Sequence, residues 1–235
     1  MKSLLILSAS LLFLSCKGEP DDNSPADSGP ADSGPVDSGP VDSGPVDSSP
    51  VDISSNVIIE TSMGAIKIKL HSETAPITVA NFLDYVDQEH FDGTIFHRVM
   101  SNFMIQGGGF EIKNDVPTEK KTGDGIQNES ARTKKNLRGT LAMARTSDPH
   151  SATAQFFINV VDNPNLDYPK NGGGYAVFGE VTEGMEVVNK IKMVEVGTGY
   201  LNSLAPDGRV ASGPHQNVPL IDPVIIKSIR REPKS

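Results

Sequence analysis

The chain has 235 residues, a formal net charge of −9 and a single cysteine. Residues 19–52 hold nine acidic residues and no lysine or arginine; without them and the lysines at positions 2 and 17, 21 acidic and 19 basic residues remain from Ile53 onward. A nearly neutral folded part excludes the basic surface that nucleic-acid binding requires. One cysteine also excludes a disulfide framework.

Residues 1–16 have the composition of a targeting segment. Lys2 precedes an apolar run from Leu4 to Leu14, which is too short to span a bilayer and suits the core of a signal peptide. The end of the run, Phe-Leu-Ser-Cys, resembles a bacterial lipobox with Phe13 where leucine is usual. We therefore predict lipidation at Cys16 and a membrane-anchored lipoprotein outside the cytoplasm, facing the periplasm or in an outer membrane. The alternative is an ordinary secretory signal with an incidental cysteine.

Residues 17–52 are of low complexity and repeat the unit Asp-Ser-Gly-Pro-Val/Ala. A period of five is too short for a solenoid repeat, and the segment offers almost nothing apolar to bury. We predict a disordered tether, which would reach on the order of 100 Å if extended and about 30–35 Å as a flexible coil.

Residues 53–235 are long enough for one domain with its own core. The first two runs, 57–61 and 65–70, flank Ser-Met-Gly, and the second alternates apolar residues with lysine, which predicts an opening β-hairpin. Pro76 then begins a predicted amphipathic helix that ends at about Gln88.

Short strand-like runs follow at 95–99, 104–106, 140–144, 156–160 and 176–181. A second helix is predicted over Met185–Ile191, and a final strand over Val224–Ile229. Residues 197–217 contain glycine, serine and proline, and we expect a surface loop with no assigned function. Many short strands with two helices favour a closed antiparallel barrel with capped ends.

Four short sequence motifs resemble those of a known protein family. They are Phe-His-Arg-Val at 96–99, Asn-Phe-Met-Ile-Gln-Gly-Gly at 102–108, Met-Ala-Arg-Thr at 143–146 and Ala-Gln-Phe-Phe-Ile-Asn at 154–159. Together they closely resemble the cyclophilin family of peptidyl-prolyl cis/trans isomerases, in particular its bacterial branch, over essentially all of residues 55–231. The resemblance implies a mostly β fold, a closed eight-stranded antiparallel barrel capped by two helices.

Isomerisation of an X–Pro bond requires no metal, nucleophile or acid–base pair. The amide must twist over a barrier of about 18–20 kcal/mol, and the twisted prolyl nitrogen regains a lone pair that a hydrogen-bond donor stabilises. By resemblance Arg98 is that donor, and an arginine stays charged at any relevant pH. In an arbitrary chain the same residue would be an ordinary surface arginine.

The resemblance also assigns the remaining site residues. By this resemblance Gln106 orients the arginine and binds the substrate backbone. Phe103 is the third residue assigned to catalysis. The proposed substrate-binding residues are Met104, Ala144, Arg145, Phe157, Leu166 and Tyr175. Without the resemblance, Phe103, Met104, Phe157 and Leu166 would be taken as core, and His97 is expected to be structural because no proton is transferred.

One residue departs from the family pattern. Asn165 stands where the family usually has a tryptophan or phenylalanine, so we expect isomerase activity to survive and affinity for cyclosporin-type macrocycles to fall. The run of glycines at 107–109 is not a phosphate-binding loop, because no Lys-Ser/Thr follows it.

We therefore expect a monomeric prolyl isomerase that needs no cofactor or metal and assists the folding of proline-containing exported proteins. A different class, a surface lipoprotein that only binds proline-containing peptides in an adhesion or scaffold role, is the alternative. A general chaperone that acts through apolar surface is a second alternative, distinguished by activity that persists after Arg98→Ala.

Overall fold

The structure is a computed structural model that describes residues 56–205, 208–219 and 221–233. The predicted signal peptide with Cys16 and the predicted tether over 17–52 lie outside the described residues. Within the described ranges, no helix is both long and apolar enough to cross a membrane.

The described residues form one strongly curved sheet of 13 strands. In chain order these are β1 (Asn56–Thr61), β2 (Gly64–Leu70), β3 (Thr94–Ile95), β4 (Arg98–Val99), β5 (Met104–Gly107), β6 (Phe110–Lys113), β7 (Val116–Glu119), β8 (Thr140–Met143), β9 (Phe156–Asn159), β10 (Val177–Glu183), β11 (Val196–Leu204), β12 (Val210–Pro219) and β13 (Ile225–Arg231). Their spatial order is β12-β11-β7-β6-β3-β13-β1-β2-β10-β8-β9-β5-β4. The two ends of this order, β12 and β4, contact each other, so the sheet curls into a barrel.

The barrel class is confirmed, but the count of eight strands is wrong. The predicted strand over 95–99 is divided in two: β3 pairs with β13 and β6, whereas β4 pairs with β5. The chain turns between these partners at Phe96, whose backbone N–H donates to the carbonyl of Val224 at 2.9 Å. The pairing is antiparallel except for a parallel bridge between β11 and β7.

Two hairpins, β6–β7 and β11–β12, add the other unpredicted strands. The expectation of a loop over 197–217 is wrong, because this segment forms most of a long hairpin that pairs from Val196↔Pro219 to Leu204↔Val210, with one register shift between Gly197 and Gly199. Its strands carry few apolar side chains, of which Leu201 and Val218 are buried. A strand held by backbone pairing at a polar surface lacks the alternation that reveals strands in a sequence.

The helices are α1 (Pro76–Asp87), α2 (Lys170–Gly173) and α3 (Met185–Ile191), with a 3-10 turn at Pro164–Leu166. Both predicted helices, α1 and α3, are confirmed. The four-residue segment α2 has positive, non-helical φ at Asn171 and Gly172, so it is a tight turn and leaves the expectation of two capping helices standing.

Glutamate from a distant loop caps the first helix. Glu129 is 4% exposed, and its Oε2 accepts hydrogen bonds from the backbone N–H and the hydroxyl of Thr78, at 2.8 and 2.7 Å. Thr78 lies in the first turn of α1, where free N–H groups and the helix dipole favour a negative charge. This contact fixes α1 to the loop that follows the β6–β7 hairpin.

An aromatic cluster fills the barrel between α1 and the sheet. Phe82 of α1 is fully buried, and its ring centroid lies 5.1 Å from Phe91, 5.0 Å from Phe178 and 5.8 Å from Phe156. Tilted and edge-to-face contacts at these distances are favourable for aromatic pairs. Because Phe156 belongs to β9, the cluster supports the strand whose next residue, Phe157, faces the opposite side of the sheet.

Candidate active site

Three neighbouring strands place Arg98, Gln106 and Phe157 on one face of the barrel. Arg98 on β4 is paired with Gln106 on β5, and Gln106 is paired in turn with Phe157 on β9. Phe157 is paired with Ala142 on β8, one strand further along the sheet. Side chains at paired positions project to the same face, so this register aligns Arg98, Gln106 and Phe157 in one row.

A small pocket of about 90 Å³ lies on this face. It is lined by all nine residues that the sequence assigned to catalysis or substrate binding: Arg98, Phe103, Met104, Gln106, Ala144, Arg145, Phe157, Leu166 and Tyr175. The structure therefore brings together every predicted site residue that falls within its described ranges.

The floor of the pocket is apolar and separate from the main core. Met104, Phe157 and Leu166 are each at most 5% exposed and form a cluster against which Phe103 and Tyr175 pack. The Phe157 and Tyr175 rings meet edge to face, with centroids 5.8 Å apart. Their burial agrees with the alternative interpretation of these residues as core. They also present to the pocket an apolar surface that a pyrrolidine ring can cover.

Polar groups lie along one side of this floor. Arg98 is half-buried, and its Nη1 donates to Oε1 of Gln106 over a long 3.5 Å. Gln106 Nε2 donates to Oε1 of Gln155 at 2.9 Å, and Gln155 Nε2 donates to Oε1 of Glu119 at 3.1 Å. This chain fixes the amide orientation of Gln106, which leaves its oxygen facing the guanidinium of Arg98.

A cationic donor beside a small apolar pocket is the arrangement that twisting of a prolyl amide requires. The family model described as cyclophilin type peptidyl-prolyl cis-trans isomerase/CLD matches residues 56–222. The chain belongs to the cyclophilin family. It is a peptidyl-prolyl cis-trans isomerase.

Similar proteins support this assignment at high coverage. The chain is 50% identical over 179 residues to the peptidyl-prolyl cis-trans isomerase cyp18 of Streptomyces antibioticus, covering 75% of this chain and 98% of that protein. It is 51% identical over 176 residues to peptidyl-prolyl cis-trans isomerase B of Escherichia coli, covering 74% and 97%. A Cryptosporidium parvum cyclophilin solved in the presence of the dipeptide Ala-Pro has a TM-score of 0.57 and 26% identity, covering 76% of this chain and 99% of that chain.

Arg145 of this cyclophilin holds the loop that carries Tyr175. Its guanidinium donates to the carbonyls of Asn171 at 2.7 Å and Gly174 at 3.0 Å, and it lies 4.5 Å from the centroid of the Tyr175 ring. Hydrogen bonds and a cation–π contact thus restrain one wall of the pocket. The side chain lines the pocket and also braces it from the rim.

A buried network of asparagines supports the opposite wall. Asn159 donates to Oγ1 of Thr140 at 2.9 Å and accepts from Nδ2 of Asn163 at 2.7 Å. Asn163 also donates to the carbonyl of Phe103 at 2.8 Å. Fully satisfied buried networks of this kind fix one geometry, here that of Phe103 and of the 3-10 turn that carries Leu166.

The sequence predicts the roles of two residues near the cyclophilin site, Asn165 and Gln155, only in part. Asn165 is exposed on the 3-10 turn, so no large side chain rises from that position beside the pocket. Gln155 was not assigned a role, although it stands two residues before Phe157 and period-two alternation places both on one face.

His97 is a buried, neutral histidine behind the pocket. It is 4% exposed, its ring lies 4.5 Å from that of Phe110, and its Nδ1 has no hydrogen-bond partner within the described ranges. Burial lowers the pKa of His97 to about 3, and the nearby charge of Arg98 acts in the same direction. A group that stays neutral at neutral pH fits the predicted structural role.

The lowered pKa of His97 makes stability depend on pH. Between pH 6.5 and about 3 the unfolded chain binds a proton at His97 that the native state does not bind. The free energy of unfolding therefore falls as the pH drops through this window, by about 1.4 kcal/mol per pH unit from this group. Urea unfolding of the wild type and His97→Gln between pH 4 and 5.5 should show a slope shallower by that amount in the variant, and equal slopes would contradict this assignment.

Proposed function

We propose that this cyclophilin accelerates X–Pro rotation by donating a hydrogen bond from Arg98 to the prolyl nitrogen. The observation that carries the proposal is the position of the Arg98 guanidinium at an apolar-floored pocket, beside the oriented amide of Gln106. The planar amide nitrogen is a poor acceptor, so this donor stabilises the twisted state more than the ground state. Gln106 orients the arginine and the apolar floor receives the proline ring.

We infer that the substrates are proline-containing polypeptides. The Cryptosporidium parvum relative solved in the presence of Ala-Pro supports this choice. A pocket of about 90 Å³ suits one small ring and leaves the flanking chain outside it. Unfolded or partly folded chains expose such segments, and slow proline isomerisation limits the folding of many of them.

We further propose that the enzyme acts outside the cytoplasm, anchored to a bacterial membrane through lipid on Cys16. The apolar segment before Cys16 and the acidic Pro/Gly-containing segment after it support this location. Each buried CH₂ of an acyl chain contributes about 0.8 kcal/mol, so more than one chain gives stable anchoring. The exported proteins within reach of the tether would then be its clients.

Substitution of Cys16 tests the anchor. In bacteria fed a labelled fatty acid, we expect the wild-type chain to carry label in the membrane fraction. Cys16→Ser should be unlabelled and leave that fraction. Ser15→Ala is a matched control, because it alters the neighbouring residue and keeps the thiol. A wild-type chain that is exported without label would contradict the anchor and favour the ordinary secretory signal.

A further inference from the structure

An apolar groove lies at the turn between β1 and β2. It measures about 630 Å³ and is bounded by that turn, the loop that follows α3 and the loop that precedes β13. Its apolar lining includes Met63, Val194, Ile221 and Ile225. None of the described residues that line this groove also lines the pocket proposed for the proline ring, the proline pocket. The two are therefore separate surfaces.

Hydrogen bonds fix two walls of the groove relative to each other. The backbone N–H of Ser62 donates to the carbonyl of Ile225 at 2.8 Å, and the N–H of Ile225 donates to Oγ of Ser62 at 3.1 Å. Within the turn itself, the N–H of Met63 donates to Oγ1 of Thr61 at 3.0 Å. The groove is therefore formed before anything binds in it, which lowers the entropy that binding costs.

The aliphatic side chains of the groove are unusually exposed for their type. Ile221 is 73% exposed and Ile225 is 38% exposed. Met63 and Val194 are partly buried, and they pack against the main core while they line the groove. Large apolar side chains that share one exposed surface typically mark a place where another molecule binds, and methionine adapts to partners of different shape.

Two acidic side chains give the groove a negative charge. Glu195 and Asp222 both line it, and both are exposed. Neither carboxylate forms an ion pair or a hydrogen bond within residues 56–205, 208–219 and 221–233, and the described lining contains no lysine or arginine. An apolar surface with unpaired negative charge complements a partner that is apolar and positively charged.

We propose that this groove is a second binding site, which holds basic, apolar segments of unfolded polypeptides and requires no proline in them. Lysine or arginine of the segment meets Glu195 and Asp222, and its aliphatic residues cover Ile221 and Ile225. A lipid surface matches the groove less well, because unpaired carboxylates repel anionic headgroups.

A segment held in the groove raises the local concentration of the same client's prolines at the proline pocket. The groove thus retains a client between successive isomerisation events. Binding in the groove does not itself require the proposed isomerase mechanism, so the two can be tested separately.

Proline-free peptides test the groove. The probes are Leu-Lys-Val-Leu-Lys-Val, its acidic counterpart Leu-Glu-Val-Leu-Glu-Val and the polar Ser-Lys-Thr-Ser-Lys-Thr. With the full-length chain, we expect calorimetry to show about tenfold tighter binding of the first probe than of either other probe. The difference from the acidic probe should shrink with added salt, because exposed charges are screened. An excess of an Ala-Pro-containing peptide should not displace the first probe.

Substitutions in the groove should remove this binding. Ile221→Ser combined with Ile225→Ser should weaken binding of the first probe about tenfold, because the probe then buries less apolar surface. Glu195→Gln combined with Asp222→Asn should make the basic and acidic apolar probes bind equally well.

The matched control is Ile77→Ser combined with Leu137→Ser. These side chains are 41% and 52% exposed and lie outside the lining of the groove, so their replacement should leave the affinity for all three probes unchanged. The acidic residues at 19–52 are present in every variant, so any attraction that they exert on basic probes cancels in the comparison. Circular dichroism should show that every variant keeps the fold.

Equal affinity for the three probes would overturn the proposal, as would a preference that survives both groove variants. Displacement of the first probe by the Ala-Pro peptide would place that probe in the proline pocket and contradict a separate site. If the isoleucine variant binds the probes like the wild type but loses affinity for phosphatidylglycerol vesicles, the groove is a membrane contact and the proposal is wrong. A chain that binds the probes as expected and accelerates no isomerisation would support the groove and contradict only the isomerase mechanism.

Discussion

Replacement of Arg98 by alanine is expected to lower kcat/KM for a short X–Pro peptide by about 100-fold or more. Loss of one donor aimed at a group that develops in the transition state typically has an effect of this size. The pocket floor of Met104, Phe157 and Leu166 stays intact in this variant, so substrate affinity should change much less than kcat. Gln106 would retain its hydrogen bond to Gln155 and hold its place in the sheet.

The matched control is Arg132→Ala, which removes an exposed arginine away from the pocket. Its kcat/KM should equal that of the wild type, and circular dichroism should show that both variants keep the fold. Near-wild-type kcat/KM in folded Arg98→Ala would contradict the role given to the guanidinium. It would favour an apolar-surface chaperone, for which the arginine is dispensable.

Replacement of Phe82 by alanine is expected to lower the free energy of unfolding by about 3–5 kcal/mol. The side chain is fully buried and its ring meets those of Phe91, Phe156 and Phe178, so truncation removes apolar burial and leaves a cavity among rings. A loss of this size is a large fraction of the stability of a typical domain. Since Phe156 lies next to Phe157 in β9, the pocket floor should loosen as well.

Ile77→Ala provides the comparison within the same helix. Ile77 is 41% exposed, so its truncation should reduce the unfolding free energy by less than about 1 kcal/mol. Denaturant unfolding of both variants measures the difference. Equal losses would show that the aromatic cluster is not the main source of stability for α1.

The elements that bury one apolar face could be predicted from the sequence. The alternation in 65–70 predicts β2, and the spacing of apolar residues after Pro76 predicts α1, because each element packs its one apolar face on the core. The β11–β12 hairpin could not be predicted in this way. All but two of its residues are exposed or only partly buried, so its strands depend on backbone pairing that leaves little trace in side-chain pattern.

The residues around the site also divide into those that the sequence identifies and those that only the tertiary fold brings together. Seven of the nine pocket residues fall in the four family-like motifs, and the resemblance adds Leu166 and Tyr175; the register of β4, β5 and β9 aligns Arg98, Gln106 and Phe157. Glu119 and Ser203 come from separate strands at the polar edge of the sheet, and only the tertiary fold brings them to Arg98. Long-range polar contacts of this kind depend on the orientation of hairpins, which single-sequence patterns do not specify.

The most direct test of the central claim is exchange NMR on an Ala-Pro-containing peptide, with the full-length wild-type chain beside Arg98→Ala. We predict that catalytic amounts of the wild type strongly accelerate cis/trans exchange. Arg98→Ala should bind the peptide with similar affinity, but its kcat/KM for exchange should be lower than that of the wild type by about 100-fold or more. A wild-type chain that binds the peptide without speeding exchange would contradict the account. It would leave a lipoprotein that only binds proline-containing peptides as the better explanation.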